Sequence, residues 1–130
     1  RNIHLQKKYE EIKANEVRYE SMHVDDADYI IVAFGSAARV SEKAIEIAHE
    51  EGLSLGLFRP ITLWPFPEKE IKALAENKKG ILVVEINAGQ MVEDVRLAVN
   101  GALPVEHFGR LGGIVPEPEE IVNALKDKLL

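Results

Sequence analysis

Tyr29-Ile30-Ile31-Val32-Ala33-Phe34 runs directly into Gly35-Ser36-Ala37-Ala38-Arg39. The first six residues are uninterrupted, apolar and rich in β-branched side chains. A strand with one wet face alternates polar and apolar residues. A continuous run implies cover on both faces, as in a parallel sheet flanked by helices. Each large side chain buried there contributes about 1.5–3 kcal/mol. Gly35 ends the strand and Ser36 is expected to cap a helix. Val40, Ala44, Ile47 and Ala48 fall at i, i+4, i+7 and i+8 on its packed face, and Glu51-Gly52 closes it.

The same unit recurs downstream. Leu53 to Phe58 reads as a second strand, interrupted by Gly56, with Arg59-Pro60 beginning the connection. Pro67 suits the first position of a helix, Glu68 and Glu70 favour its positive end, and Ile71, Leu74 and Ala75 are its packed face. Gly80 stops it. Ile81 to Ile86 is a third strand, followed by a helix packed through Met91, Val95, Ala98 and Val99. Val105 to Phe108 is a short fourth strand, and Pro116-Glu117-Pro118 opens a last helix packed through Ile121, Leu125 and Leu129. Upstream, Asp25-Asp26-Ala27-Asp28 is a turn. Residues 3–20 read as a thinly amphipathic helix with Leu5, Tyr9 and Ile12 on one stripe and Val17 continuing it loosely, the kind that lies across a neighbouring domain or frays. Alternating strands and helices predict an α/β fold: a three-layer α/β/α sandwich around a mainly parallel sheet of about four strands in the order 2-1-3-4. Residues 1–24 are then a helix and linker from a preceding domain, and 25–130 the sandwich.

Composition narrows the function. The 130 residues carry 16 Lys+Arg against 22 Asp+Glu, a formal charge of −6, with no Cys. Zero Cys excludes disulfides, thiolate metal sites and a cysteine nucleophile from these residues. Net acidity argues against a nucleic-acid partner, since that affinity rests on Lys and Arg at phosphates. No apolar run approaches the ~20 residues that span a bilayer, so no membrane partner is expected. The first residue is Arg1 rather than Met, which fits a processed chain or a piece of a longer one. The absence of Cys suits a cytoplasmic location.

Ligands of open α/β sheets sit beyond the carboxyl ends of the strands, where strand order reverses. Three polar, glycine-bearing turns are expected there. At Gly35-Ser36-Ala37-Ala38-Arg39, helix N–H groups with Arg39 suit an anion. Alternatively Ser36 is a plain cap and Arg39 a surface charge, because neither a second Gly nor Lys-Ser/Thr follows. Glu85, Asn87, Gly89 and Gln90 end the third strand, and a buried Glu85 must be satisfied, by Ser36 or by N–H groups of the first turn. Arg110 and Gly112 either wrap an anion or let the chain reverse. Arg59, Pro60, Trp64, Pro65 and Phe66 form a stiff aromatic stretch, an interface anchor or a plug on the sheet edge. His4, His23, His49 and His107 lack metal-pair spacing, and His49 reads as solvated. No catalytic set is evident. An independent nucleotide- or phosphate-binding module and a protein-interaction or dimerisation module both remain open.

Four stretches carry a resemblance: Gly35–Arg39, Gly56–Pro67, Val84–Val92 and Gly109–Gly113. Together, from about Asp28 to the end, they look like the C-terminal part of the α subunit of 2-oxoacid:ferredoxin oxidoreductases. Arg59-Pro60-Ile61-Thr62-Leu63-Trp64-Pro65-Phe66-Pro67 is the most specific match, and the leading helix resembles the segment joining this domain to a thiamine-fold domain. The resemblance implies a domain similar to the transketolase C-terminal domain. It also implies a full enzyme that decarboxylates a 2-oxoacid on thiamine diphosphate with Mg, passes electrons through iron–sulfur clusters to ferredoxin, and delivers the acyl group to coenzyme A. On that reading this chain binds none of these cofactors alone, and Glu85 is not the thiamine-activating acid. Its partners are the remaining α domains and the β and other subunits. Ser36, Arg39, Arg59, Glu85, Asn87, Gln90 and Arg110 serve as domain contacts at the sheet's rim.

Overall fold

Side chains alternate between two cores along each central strand. Ile31, Ala33, Leu55, Leu57, Leu82 and Val84 enter one, and Ile30, Val32, Phe58, Ile81, Val83 and Val105 enter the other. Both faces are apolar, so each must be covered, and helices do so. The computed structural model describes residues 18–61, 66–86, 90–109 and 114–130.

Five strands form one sheet: β1 (Tyr19–Met22), β2 (Tyr29–Ala33), β3 (Leu55–Pro60), β4 (Gly80–Glu85) and β5 (Val105–Gly109). The helices are α1 (Ser36–Glu50), α2 (Glu68–Ala75), α3 (Gln90–Val99) and α4 (Pro118–Leu129). The sheet order is β1-β3-β2-β4-β5. β3, β2, β4 and β5 are parallel, in the register Ile31↔Leu57, Ile31↔Leu82 and Val83↔His107. These four strands have the expected 2-1-3-4 order, and α1 with α4 covers one face while α2 with α3 covers the other.

The fifth strand is a correction. Tyr19–Met22, expected at the end of a helix over 3–20 and in a linker, is an antiparallel edge strand with Tyr19↔Pro60 and Met22↔Leu57. Its residues are mostly exposed, so the apolar signal that marks a strand is missing. The rest of that expected helix lies outside the described residues. Gly56, read as a break, lies inside β3. A Cβ there would stand 2.8 Å from the His23 carbonyl oxygen, so the glycine admits the close crossing of the turn after β1. Gly80 opens β4 rather than closing α2, which ends at Ala75.

The amino ends of the strands are stitched by the acidic turn. Ser54 Oγ donates to the Asp26 carbonyl (2.9 Å), and the Asp28 amide donates to Ser54 Oγ (3.1 Å). The Lys79 amide donates to the Asp28 carbonyl (2.7 Å). His49, expected to be solvated, stands with Nε2 3.0 Å from the Leu55 carbonyl oxygen and its ring edge-on to His23. Only a protonated Nε2 can donate to that carbonyl.

Candidate functional site

The carboxyl ends of β2 and β4 lie side by side, paired up to Ala33↔Val84, while their connections leave in opposite directions. This is the topological switch point of the sheet. On its β2 side Phe34 is exposed, and Gly35 turns the chain with φ 62° and ψ −132°, a conformation that glycine adopts at least cost. Gly35 occupies the cap position of α1 and no side chain caps it. Ser36 is the first helical residue and is exposed, so the expected Ser36 cap is not formed; Arg39 is also exposed. Ala37 and Ala38 are buried, which seats the first turn of α1 on the sheet.

On the β4 side the acid is engaged. Glu85 Oε1 accepts from the Met91 amide (2.7 Å) and Oε2 from the Val92 amide (3.2 Å). A carboxylate at a helix N-terminus satisfies orphan donors and faces the positive end of the helix dipole. Glu85 was expected to reach the first turn; it caps α3, the helix that follows it in sequence. Met91 and Val92 stand six and seven residues beyond Glu85, so the contact is local in sequence.

His107 on β5 completes the group. Its Nε2 stands 3.4 Å from Glu85 Oε2, and that nitrogen is buried without hydrogen-bond geometry to any partner among the described residues. The Glu85 side chain is 11% exposed and the His107 side chain 32%. Gly109 pairs with Glu85 across the strands, and a Cβ on it would fall 2.2 Å from the Glu85 carbonyl oxygen. The glycine is therefore required by close backbone approach. Sequence reasoning missed His107 as a neighbour of Glu85. Neither strand alone signals that pairing, which follows from the register Val83↔His107 between β4 and β5.

The aromatic stretch divides. Arg59 and Pro60 are the last residues of β3; Arg59 is half-buried and pairs with Glu20 (3.5 Å), and Pro60 is buried opposite Tyr19. Phe66 is half-buried against the core beneath α2 and α3. Trp64, Pro65, Asn87, Gly89, Arg110, Gly112 and the Gln90 side chain lie outside the described residues. Among the described residues no cluster of His, Asp or Glu is arranged to hold a metal ion. No helix among them is long and apolar enough to cross a membrane. Chemically, the described rim offers a carboxylate used as a helix cap, a neighbouring imidazole and an open helix start.

Residues 27–121 match the family model described as "Pyruvate:ferredoxin oxidoreductase core domain II". The ketoisovalerate oxidoreductase subunit VorB of Methanothermobacter thermautotrophicus is 44% identical over 126 residues, 97% of this chain and 36% of the relative. The 2-oxoglutarate synthase subunit KorA of Methanothermobacter marburgensis is 39% identical over 101 residues, 78% of this chain and 27% of the relative. The chain thus spans about a third of the length of the curated relatives it matches. A solved 2-oxoglutarate:ferredoxin oxidoreductase from Magnetococcus marinus, with 2-oxoglutarate, coenzyme A and succinyl-CoA bound, superposes with a TM-score of 0.70 at 26% identity. That superposition covers 87% of this chain and 20% of the other. A split-gene transketolase chain shares the fold at a TM-score of 0.73 and 17% identity, over 86% of this chain and 41% of the other. The chain belongs to the 2-oxoacid:ferredoxin oxidoreductase family, as a domain of the core domain II type.

Proposed function

We propose that this chain is the C-terminal, non-catalytic domain of the α-type subunit of a 2-oxoacid:ferredoxin oxidoreductase. In the whole enzyme it supports the oxidative decarboxylation of a 2-oxoacid to its acyl-CoA, with electrons passed to ferredoxin. The observation that carries this reading is 44% identity to a ketoisovalerate oxidoreductase subunit over nearly the whole chain. The rim chemistry supports it. Glu85 is committed to the α3 amides as a helix cap, a structural use of the carboxylate. Thiamine diphosphate with its Mg, and the iron–sulfur clusters, belong on this reading to other parts of the enzyme, which supply the decarboxylation and electron-transfer chemistry.

The partners are then the other domains of the subunit, the β and further subunits, and ferredoxin through the assembled enzyme, in the cytoplasm. Gly35, Ser36, Arg39, Glu85, Arg59 and Pro60 belong to the rim that contacts those domains, together with Asn87, Gly89, Gln90, Arg110, Gly112, Trp64, Pro65 and Phe66. Residues 25–130 form the domain and 1–24 the joining segment, tied to the sheet through β1. The match to the VorB subunit covers 97% of the chain and the match to the KorA subunit 78%, which makes a branched 2-oxoacid the first substrate to assay.

The test is complementation. The enzyme is prepared with and without this domain, and 2-oxoacid- and coenzyme A-dependent reduction of ferredoxin is followed. The chain alone is expected to be inactive. Its omission is expected to abolish assembly or activity, and its addition to restore them. A preparation that assembles and turns over fully without the domain overturns the reading, as does turnover by the isolated chain.

A further inference from the structure

α3 runs out into an Asn-Gly pair. Val99 to Ala102 make a tight turn closed by the Ala102 amide, which donates to the Val99 carbonyl (3.0 Å). Both central residues have positive φ, 49° at Asn100 and 80° at Gly101, a pattern that favours Asn followed by Gly. Both are exposed. The Asn100 amide donates to the Arg96 carbonyl (3.0 Å), whereas the Gly101 amide has no hydrogen-bond partner among the described residues. A Cβ on Gly101 would meet nothing within 4 Å, so the backbone here is clear of the rest of the molecule on that side.

We infer that Asn100 is a site of spontaneous deamidation, in which the Gly101 nitrogen attacks the Asn100 side chain. The bond from that nitrogen to Asn100 Cγ forms as the Cγ–Nδ2 bond breaks. The proton of the attacking amide passes through solvent base, and ammonia leaves. The product is a cyclic imide, and water then adds to one of its two carbonyl carbons and reopens it. Addition at Cγ gives an aspartyl residue on the original main chain. Addition at the main-chain carbonyl gives an isoaspartyl link, whose main chain runs through Cβ and Cγ and is one carbon longer. Three features select this asparagine. Glycine sets no Cβ beside the attacking nitrogen. That nitrogen is spent on no hydrogen bond among the described residues. Water and base reach both residues. Asn77 and Asn123, the other asparagines among the described residues, are each followed by a residue with a side chain, Lys78 and Ala124. Asn123 also sits inside α4, where the next amide is held by the helix. Both products set a carboxylate at the carboxyl end of α3, where the helix dipole disfavours an anion. The isoaspartyl form also lengthens the connection from α3 to β5, which Arg96 braces by donating to the Val105 carbonyl (3.1 Å). This turn leads into the start of β5, at the amino pole of the sheet, so the inference stands apart from the rim and from the function proposed for it.

The full chain is aged in mildly alkaline, ammonia-free buffer made with heavy-oxygen water, then digested and mapped by mass spectrometry. A parallel sample is held unfolded in guanidinium chloride. In the folded sample the peptide containing Asn100 is expected to exchange ammonia for water, to take up heavy oxygen and to accept methyl groups from an isoaspartate-specific methyltransferase. The peptides containing Asn77 and Asn123 are expected to stay unchanged, and Asn100→Gln is expected to lose the signal. The aged chain is expected to bind an anion exchanger more tightly than the fresh chain and to unfold at a lower urea midpoint. The inference is overturned if Asn100 reacts only in the unfolded sample, since the folded turn would then protect it. It is overturned equally if Asn77 or Asn123 reacts as fast in the folded chain, or if the signal persists in Asn100→Gln. An unchanged urea midpoint in the isoaspartyl form would overturn the effect assigned to the α3–β5 connection.

Discussion

At Gly109 one hydrogen atom decides whether two strands can meet. The Glu85 carbonyl oxygen occupies the place where a Cβ would stand, and the obstacle is backbone rather than a flexible side chain. Gly109→Ala must part β4 from β5 at their carboxyl ends, at an expected cost of about 1–3 kcal/mol. The check is a lower urea midpoint with an unchanged denaturant slope. Glu85→Ala removes both acceptors of the first α3 amides, and a loss of about 0.5–2 kcal/mol is expected, as for other helix caps. Glu85→Gln should recover part of it, because an amide oxygen still accepts one of the two bonds. Ser41 behaves differently although it is fully buried. Its hydroxyl donates to the Ala37 carbonyl of its own helix (2.7 Å), a carbonyl that helix geometry already serves. Ser41→Ala is expected to change stability by no more than about 0.5 kcal/mol.

Among the elements, β1 depends on a gap in another strand. Gly56 sits where the His23–Val24 turn crosses β3, so Gly56→Ala is expected to loosen β1 while the parallel strands stay paired. Hydrogen exchange reads this as faster exchange in 19–24 with 80–85 unchanged. β1 was also the element the sequence hid. The parallel strands were legible because burial on both faces forces continuous apolar runs, as in Tyr29–Ala33 and Gly80–Glu85. An exposed edge strand needs only backbone partners, and Tyr-Glu-Ser-Met carries no pattern that separates it from a helix end. Helix ends misled for a related reason. Ser36 has the side chain of a cap, yet Gly35 takes that position, because the turn out of β2 demands a positive φ. At the site, Glu85 was identifiable as a polar group needing partners. Its actual partners depend on how α3 docks against β4, which is tertiary information. His107 was invisible as its neighbour because strand register between β4 and β5 is not written in either strand alone.

The whole molecule is a two-sided sheet whose parallel part ends at β3, and β1 is what covers that end. Without Tyr19–Met22 the backbone groups of β3 would be free to pair with another chain. A chain beginning at His23 is therefore expected to self-associate as its concentration rises, read by sedimentation velocity, whereas the full chain is expected to do so less. Antiparallel pairing of β1 also fixes where the polypeptide passes in and out. Arg18 is held at the carboxyl rim, while the Leu129 side chain packs over Gly80 at the opposite pole, where β4 starts. An affinity handle or fluorophore fused after Leu130 would therefore project from the far pole and leave the switch-point surface clear, whereas one placed at Arg18 would crowd it.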